Sequence, residues 1–173
     1  MAELTQAQKD LLETIAGLTC MPGGAFNIRA NGGLAERQVT EHINITSKED
    51  KPGIDIHISP ECQGETCYIP VVMDESGMTD VVYNDFFIGE GADVTIVAGC
   101  GIHNCGGEDS QHDGIHRFFV GKGAHVKYVE NHYGSGDGMG KRILNPVTEV
   151  YQEEDSSVEM EMVQIKGVDS TIR

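Results

Sequence analysis

The sequence predicts an all-β protein, a parallel β-helix in which successive coils stack as a solenoid, with a short N-terminal α-helix. The first observation is an internal repeat, because residues 86–94 (FFIGEGADV) return as residues 118–126 (FFVGKGAHV), 32 positions later. A further shift of 32 reaches Val150 and Val158, where apolar residues persist but the glycines do not. Self-similarity at such a period is typical of stacked repeat architectures.

The second observation is the local pattern inside each copy. Apolar residues alternate with polar ones, and Phe, Tyr, Val and Ile dominate, which indicates strands rather than helices. The pairs Gly89/Gly91 and Gly121/Gly123 favour a tight corner between two strands, because glycine reaches positive φ without steric cost. A strand, a corner, a second strand and a long connection would form one coil, and coils would stack about 4.8 Å apart.

The chain begins with a predicted helix of about three turns. Thr5 and Gln8 fit a capping box, and Gly17 offers a stop. We expect this helix to cover the first open face of the solenoid, where backbone groups would otherwise be unpaired. The apolar residues at helical spacing are Leu11, Leu12, Ile15, Ala16 and Leu18.

A loop containing residues 22–24 and 31–33 is predicted next, so we place an N-terminal helix and loop at 1–36 and the β-helix at 37–173. Alternation over residues 54–58 predicts that Asp55 and His57 point outward while the isoleucines point inward. Strands before the repeats are predicted at 41–46, 54–59, 68–73 and 80–88.

Charge and composition exclude several classes of function. The chain has 12 Lys plus Arg against 28 Asp plus Glu, a net charge of −16, which disfavours nucleic acid and anionic membranes as partners. The N-terminus has no basic and apolar leader, and no apolar run approaches the roughly 20 residues that span a bilayer. We therefore expect a cytoplasmic protein, in which the five cysteines serve metal binding, reactivity or burial rather than disulfides.

Two polar, glycine-rich segments, residues 98–114 and 131–145, are predicted to be long loops between the repeats, and loops on a rigid scaffold often carry function. Residues 100–116, which begin in the first segment, contain two thiols and three imidazoles, ligands that suit iron, zinc or an iron–sulfur cluster. Alternatively, Cys100 is a small buried residue, and His112 and His116 form hydrogen bonds with loop carbonyls. The candidate metal ligands are Cys100, His103, Cys105, His112 and His116.

The remaining cysteines and histidines are weaker candidates. Cys62 and Cys67 repeat the C-x4-C spacing of Cys100 and Cys105. The two pairs would meet only if the loops that carry them leave the same face of the β-helix. His125 and His132 are expected to be solvated or packed, and Cys20 to be a buried or idle thiol. Hydrolytic catalysis lacks support because no G-x-S-x-G elbow occurs.

Five separated motifs, in order, resemble the SufB/SufD family of iron–sulfur cluster assembly proteins, in particular its short bacterial and archaeal members. The resemblance covers about residues 80–173. It implies a right-handed parallel β-helix that is not an enzyme but part of a scaffold for nascent clusters, acting with a SufC-like ATPase and other SUF assembly proteins. The motifs are residues 95–103 (TIVAGCGIH), 112–118 (HDGIHRF), 127–134 (KYVENHYG), 142–146 (RILNP) and 159–171 (EMEMVQIKGVDST).

Members of this family normally continue through further coils and a C-terminal helical segment. Those parts carry the principal cluster-associated cysteine with its neighbouring ligands, and the helices that dock SufC. No position of this sequence matches those motifs, so none is carried over. We therefore expect the N-terminal portion of a longer protein, with an open β-helix end through which copies would form a homo-oligomer.

Two other functions stay open from the sequence. Residues 88–93 and 120–125 each mimic one turn of the hexapeptide-repeat zinc enzymes, the acyltransferases and γ-type carbonic anhydrases. Those proteins repeat the hexad continuously, whereas here it occurs once in 32 residues. The other alternative is a purely structural or interaction module in which the cysteines and histidines bind nothing.

Overall fold

The computed structural model describes residues 3–173 and is a parallel β-solenoid of about four turns, with 57% of the chain in β-structure. The predicted fold class is therefore confirmed. The elements are α1 (Gln6–Ala16), β1 (Ala25–Ala30), β2 (Gly33–Gln38), β3 (Ile43–Ser47), β4 (Gly53–Ile58), β5 (Gln63–Met73), β6 (Thr79–Ile88), β7 (Asp93–His103), β8 (Ser110–Val120), β9 (His125–Ser135), β10 (Arg142–Leu144), β11 (Val147–Gln152), β12 (Ser157–Lys166) and β13 (Ser170–Thr171).

The strands form two sheets that face each other across the core. Sheet A has the order β12-β9-β7-β5-β1-β2, and sheet B has the order β13-β10-β8-β6-β4-β3, with β11 also paired to β8. The 32-residue repeat is the register of the parallel ladders: Phe86 pairs with Phe118 and Val94 with Val126. The third copy follows, because Val158 pairs with Val126. Stacked apolar side chains from both sheets then fill the interior.

The predicted corner recurs at the same place in successive coils. Gly91 and Gly123 have φ of 75° and 67°, in the left-handed region that glycine enters without strain. In the third copy Asp155 adopts φ of 58°, so the corner persists although its glycine is lost. The other glycine of each pair allows close stacking, since a Cβ on Gly121 would lie 2.8 Å from the Glu90 backbone nitrogen.

Helix α1 has its predicted ends but not its predicted place. The Thr5/Gln8 capping box is complete, and Gly17 closes the helix in a left-handed conformation. Instead of covering the open end, α1 packs on the outer face of sheet A, against β5, β7 and β9. Gly101 makes this possible, because a Cβ there would lie 2.9 Å from Leu11 Cδ2. Within residues 3–173 the structure contains no helix with the length and apolarity needed to cross a membrane.

An apolar patch on the outer face of sheet A explains the position of α1. Leu11, Leu12 and Ile15 become buried against side chains of β1 and β5, notably Phe26 and Val72. Burying this stripe removes its apolar surface from water, which favours this position of the helix. The N-terminal edge of the solenoid is formed instead by β2 and β3, which pair antiparallel with β1 and β4.

Residues 25–38 are strands rather than part of the predicted N-terminal loop. They form the hairpin β1–β2, whose turn residues Asn31 and Gly32 have φ of 46° and 77°. An Asn-Gly pair is the usual signal for this turn, so the sequence did carry the information. Because β1 pairs with β5, the solenoid includes residues that precede the predicted boundary at 37.

The four strands predicted before the repeats are present as β3 to β6, and β5 begins five residues earlier than predicted. On β4 the isoleucines at 54, 56 and 58 are buried, Asp55 is half-buried and His57 is exposed, as the alternation predicts.

The predicted loops at 98–114 and 131–145 are largely strands, and this is the main correction. β7 continues to His103, β8 starts at Ser110, and β9 continues to Ser135. Glycines inside these strands permit close approach of neighbouring coils: a Cβ on Gly99 would lie 2.4 Å from the Asn131 carbonyl oxygen. Glycine content therefore marks tight stacking here rather than loop flexibility.

Thr5→Ala should lower the free energy of unfolding by about 1 kcal/mol, because it removes the N-cap of α1. Thr5 Oγ1 accepts from the Gln8 backbone N–H at 3.1 Å and donates to Asp74 Oδ2 at 2.6 Å. Denaturant unfolding of Thr5→Ala and of Thr14→Ala, an exposed threonine on the same helix, provides the check. Equal losses in both variants would contradict the capping role.

Candidate functional site

One stretch of the solenoid interior is polar rather than apolar. On β8 every second residue from Ser110 to Val120 is buried, so His112 and His116 point inward with Gly114 between them. The inward positions on β6 and β9 next to these histidines are also polar, and Cys100 of β7 faces the same region. These side chains are only 2% to 8% exposed. We call Asp80, Cys100, His112, His116, Glu130 and His132 the interior cluster.

Asp80 anchors one side of the interior cluster. Its carboxylate accepts two hydrogen bonds from Arg29, at 2.9 and 2.7 Å, and its Oδ2 lies 3.2 Å from His112 Nδ1. Burial opposes ionisation, but the hydrogen bonds and charges of Arg29 and His112 outweigh it and hold the pKa of Asp80 well below its usual range. Asp80 is therefore ionised at neutral pH and orients His112 through Nδ1, leaving Nε2 directed elsewhere.

Tyr128 links His116 to Glu130. The Tyr128 hydroxyl donates to Glu130 Oε1 at 2.8 Å, so it accepts at 2.8 Å from His116 Nδ1–H. Burial lowers the pKa of His116 to about 4, although the charge of Glu130 acts in the opposite direction. His116 is thus neutral at pH 7, with the Nε2 lone pair free for a ligand apart from a long contact of 3.5 Å to Asn84 Nδ2.

Glu130 and His132 form the opposite wall. Burial raises the pKa of Glu130, but His116, His132, Arg173 and Tyr128 together lower it below the usual value. His132 Nε2 lies 3.6 Å from Glu130 Oε2, and burial lowers the pKa of this histidine. Among residues 3–173, His132 Nδ1 is a buried nitrogen with no hydrogen-bond partner. Such a nitrogen costs about 1–3 kcal/mol unless something binds it.

Cys100 completes the set as a buried thiol. Burial raises its pKa well above the usual value, and the charges of Asp80 and Glu130 add to the effect, so the thiol is protonated at neutral pH. On its apolar side it packs with Val71, Met73 and other residues of a small core cluster.

A small cavity lies at the centre of these residues. Its volume is about 20 Å³, and its lining includes Cys100, His112, His116, Glu130 and His132. About 10–15 Å³ suffices for one water-sized species, so the space fits a single atom and not an iron–sulfur cluster. Both His112 Nε2 and His116 Nε2 lie within 3.3 Å of the point that a Gly114 Cβ would occupy. Gly114 therefore keeps open the space between the two imidazoles.

The donor types suit a metal ion, but the side chains do not form a finished coordination sphere. Within the part of the chain that the structure describes, no three His, Cys, Asp or Glu side chains are arranged as a metal-binding group. The Nδ1 atom of His112 lies instead beside Asp80, and that of His116 beside the Tyr128 hydroxyl. Side-chain rotation would have to accompany binding of an ion.

The five predicted metal ligands fall into two groups. Cys100, His112 and His116 line the interior cavity. His103 and Cys105 lie at the end of β7 and pair with each other, with Cys105 Sγ 3.0 Å from His103 Nε2. Alternation along β7 separates them, since Cys100 is buried in the core while His103 lines an outer cleft beside α1.

The second cysteine pair does not join the first. Cys62 and Cys67 are buried in the main apolar core, a different cluster from that of Cys100. Cys20 is an exposed thiol rather than a buried one.

Glu130 and His132 are not among the ligands that the sequence predicts. The sequence predicts a solvated or packed His132, and the structure buries this residue. The signal was present, because Val126, Tyr128, Glu130 and His132 follow one another at every second position. Since Val126 belongs to the inward repeat, the same face of the strand carries the other three inward.

Comparisons of the chain with protein-family models, with curated proteins and with solved structures found no match.

Proposed function

We propose that this protein is a scaffold component for iron–sulfur cluster assembly of the SUF type, and that the interior cluster binds a single iron or zinc ion. The observation that carries the proposal is the enclosed set of a thiol, three imidazoles and a carboxylate around one small cavity. Buried ionisable groups with shifted pKa values concentrate at functional sites, because burying them costs stability. The resemblance of the sequence motifs to those of the SufB/SufD family gives the second line of support.

The protonation states favour a soft or borderline divalent cation. His116 is a neutral imidazole with an available Nε2, and neutral imidazole is the form that binds metals. Asp80 and Glu130 are ionised and would offset the charge of the ion. His132 Nδ1 would gain the partner that it lacks among residues 3–173.

The size of the cavity separates a single ion from a cluster. A volume of about 20 Å³ holds one atom, whereas iron–sulfur clusters contain several iron and sulfide atoms. In this proposal the interior cluster therefore holds a single metal ion, which is cargo if the ion is iron, and cluster assembly occurs elsewhere in the scaffold. A SufC-like ATPase, the other SUF proteins as partners and a cytoplasmic location belong to the proposal through the family resemblance.

Metal analysis of protein purified without oxygen tests this proposal. We expect about one iron or zinc per chain and no acid-labile sulfide, with metal content falling at least roughly tenfold in Cys100→Ala and His132→Gln. Titration with Co²⁺ should produce a thiolate-to-cobalt charge-transfer band that Cys100→Ala abolishes. The affinity should rise as the pH rises, because binding displaces the Cys100 proton.

Cys62→Ala is the matched control, because Cys62 is an equally buried cysteine in a different core cluster. It should keep the metal content of the parent. Absence of metal from the parent after incubation with Fe²⁺, Zn²⁺ or Co²⁺ would refute the single-ion site. If the parent contained several iron atoms and a matching amount of acid-labile sulfide, and Cys100→Ala lost both, a cluster would lie in the interior. That result would refute the conclusion that the cavity holds only one ion.

A further inference from the structure

A second group of reactive side chains lies outside the interior cluster, where β7 ends. The thiol of Cys105 is exposed, and its Sγ lies 3.0 Å from His103 Nε2. On the other side of the ring, His103 Nδ1 lies 2.8 Å from Ser135 Oγ. When Ser135 Oγ accepts from Nδ1–H, Nε2 directs its lone pair at the thiol. A nucleophile, a base and a group that orients the base are therefore in contact.

The surrounding backbone holds this arrangement in place. His103 and Ser135 are paired positions on β7 and β9, so the ladder fixes their separation. Asn104 accepts from the Gly106 backbone N–H at 3.0 Å and donates to the Glu108 carbonyl at 2.8 Å, which shapes the turn that carries Cys105. The neighbouring loop packs closely on this turn, since a Cβ on Gly138 would lie 2.5 Å from the Cys105 carbonyl carbon. The Cys105 thiol and the His103 imidazole are therefore held in contact before any ligand binds.

His103 also lines a cleft between sheet A and α1. The cleft has a volume of about 380 Å³, and its lining includes Tyr133, Ser135, Asp10 and Thr14. This is a size in which small ligands bind. Asp10 gives the cleft negative charge, none of its lining residues is Lys or Arg, and the whole chain carries −16. A neutral or cationic group would thus be favoured there over an anionic one.

We propose that Cys105 is a nucleophilic thiol that exchanges with small neutral or cationic disulfides, whose organic group occupies this cleft. His103 Nε2 takes the proton from Sγ, and the thiolate attacks one sulfur of the disulfide. The sulfur–sulfur bond of the small molecule breaks as the bond to Cys105 Sγ forms. The departing thiolate takes the proton from His103, so that Cys105 is oxidised to a mixed disulfide and one thiol is released.

Each of the other cysteines lacks either exposure to solvent or a neighbouring side chain that could act as a base. Burial raises the pKa of Cys62 to about 11 and of Cys67 to about 12, and Cys100 is buried and protonated as well. Cys20 is exposed, but within residues 3–173 its thiol makes no hydrogen bond to a side chain that could take its proton. Cys20 is therefore the natural internal reference for an unassisted thiol.

The test is site-resolved thiol exchange on the whole reduced chain. Cystamine, a cationic disulfide, is added in excess at pH 7, and peptide mass spectrometry follows modification of Cys105 and Cys20 over time. We expect Cys105 to react roughly tenfold faster than Cys20, because its proton has an acceptor in place. His103→Gln should bring the Cys105 rate close to that of Cys20, and Ser135→Ala should give an intermediate rate.

Oxidised glutathione, an anionic disulfide, provides the second arm. The ratio of the cystamine rate to the glutathione rate at Cys105 should fall in Asp10→Asn, because Asp10 is the acidic residue of the cleft that His103 lines. Equal rates at the two cysteines in the parent, or a Cys105 rate that His103→Gln leaves unchanged, would overturn the proposal. A ratio at Cys105 that Asp10→Asn leaves unchanged would overturn the assignment of the cleft as the binding site.

Discussion

Phe118→Ala is expected to destabilise the protein by about 3–5 kcal/mol. The Phe118 ring is fully buried, stacks on Phe86 with centroids 4.4 Å apart and meets Tyr128 edge to face at 4.9 Å. Truncation removes the apolar transfer energy and leaves a cavity. The parallel ladders above and below fix the strand spacing, so the coil has little freedom to collapse into that cavity. The loss should therefore lie near the upper end of this range.

Phe119→Ala is the matched control, since it changes the same residue type one position along the strand. Phe119 points outward, is half-buried and stacks between Phe87 at 5.3 Å and Tyr151 at 5.2 Å. Its loss should cost only roughly 1–2 kcal/mol. Denaturant unfolding of both variants, compared at equal m-values, measures the two losses of stability. Similar losses for the two would show that the inward aromatic stack does not dominate the stability of the coil.

Asp80→Asn is expected to cost about 3–5 kcal/mol, because it leaves Arg29 and His112 beside an uncharged amide in a buried setting. The Asp80 side chain is 6% exposed and that of Arg29 is 15% exposed. Asp113→Asn is the control, as the carboxylate of this half-buried aspartate on β8 accepts side-chain hydrogen bonds only from Gln111 among residues 3–173. Chemical denaturation at pH 7 should show a loss in Asp80→Asn that is several times larger than that in Asp113→Asn.

The pH dependence gives a further readout of the same ion pair. In the unfolded chain an aspartate takes up its proton near pH 4, whereas folding lowers the pKa of Asp80. The stabilisation is present above pH 4 and is lost as the pH falls toward the folded-state pKa. Asp80→Asn should flatten the acid limb of the stability curve. Part of the limb should remain, because hydrogen bonds from Arg117 and Lys48 lower the pKa of Asp85 to about 2 despite its burial.

A stability curve of Asp80→Asn that runs parallel to that of the parent from pH 7 to pH 3 would contradict this account.

The same variant should also weaken metal binding by the interior cluster. Without the carboxylate, His112 loses the acceptor that orients its ring, so binding of Co²⁺ should weaken even under conditions in which the variant is fully folded.

The coil itself could be predicted from the sequence because its determinants are local or periodic. The spacing of 32 residues between Phe86 and Phe118 is the register of the ladder, and the corner glycines adopt the positive φ expected of them. The ends of α1 depend on contacts within the helix, between Thr5 and Gln8 and around Gly17. Short-range side-chain and backbone preferences suffice for such features.

Residues 98–114 and 131–145 are the segments in which the structure differs most from the sequence prediction. Glycine, aspartate and asparagine have low strand propensity, and the segments that contain them gain strand structure from hydrogen bonds to the coils on either side. The same neighbours turn His112, His116, Glu130 and His132 into one cluster. Residues on β8 and β9 meet across the interior through sheet packing, which no spacing along the chain specifies.

The sequence alone thus determined the repeat, the corner, the capped helix and the choice of Cys100, His112 and His116 as chemically distinctive residues. The tertiary structure decided that α1 lies on sheet A, that His103 and Cys105 lie apart from the other candidate residues, and that Glu130 and His132 lie beside those residues. The physical reason is the period of two in a β-strand. Neighbouring residues point to opposite faces, and only the packing of both sheets decides which face encloses the site.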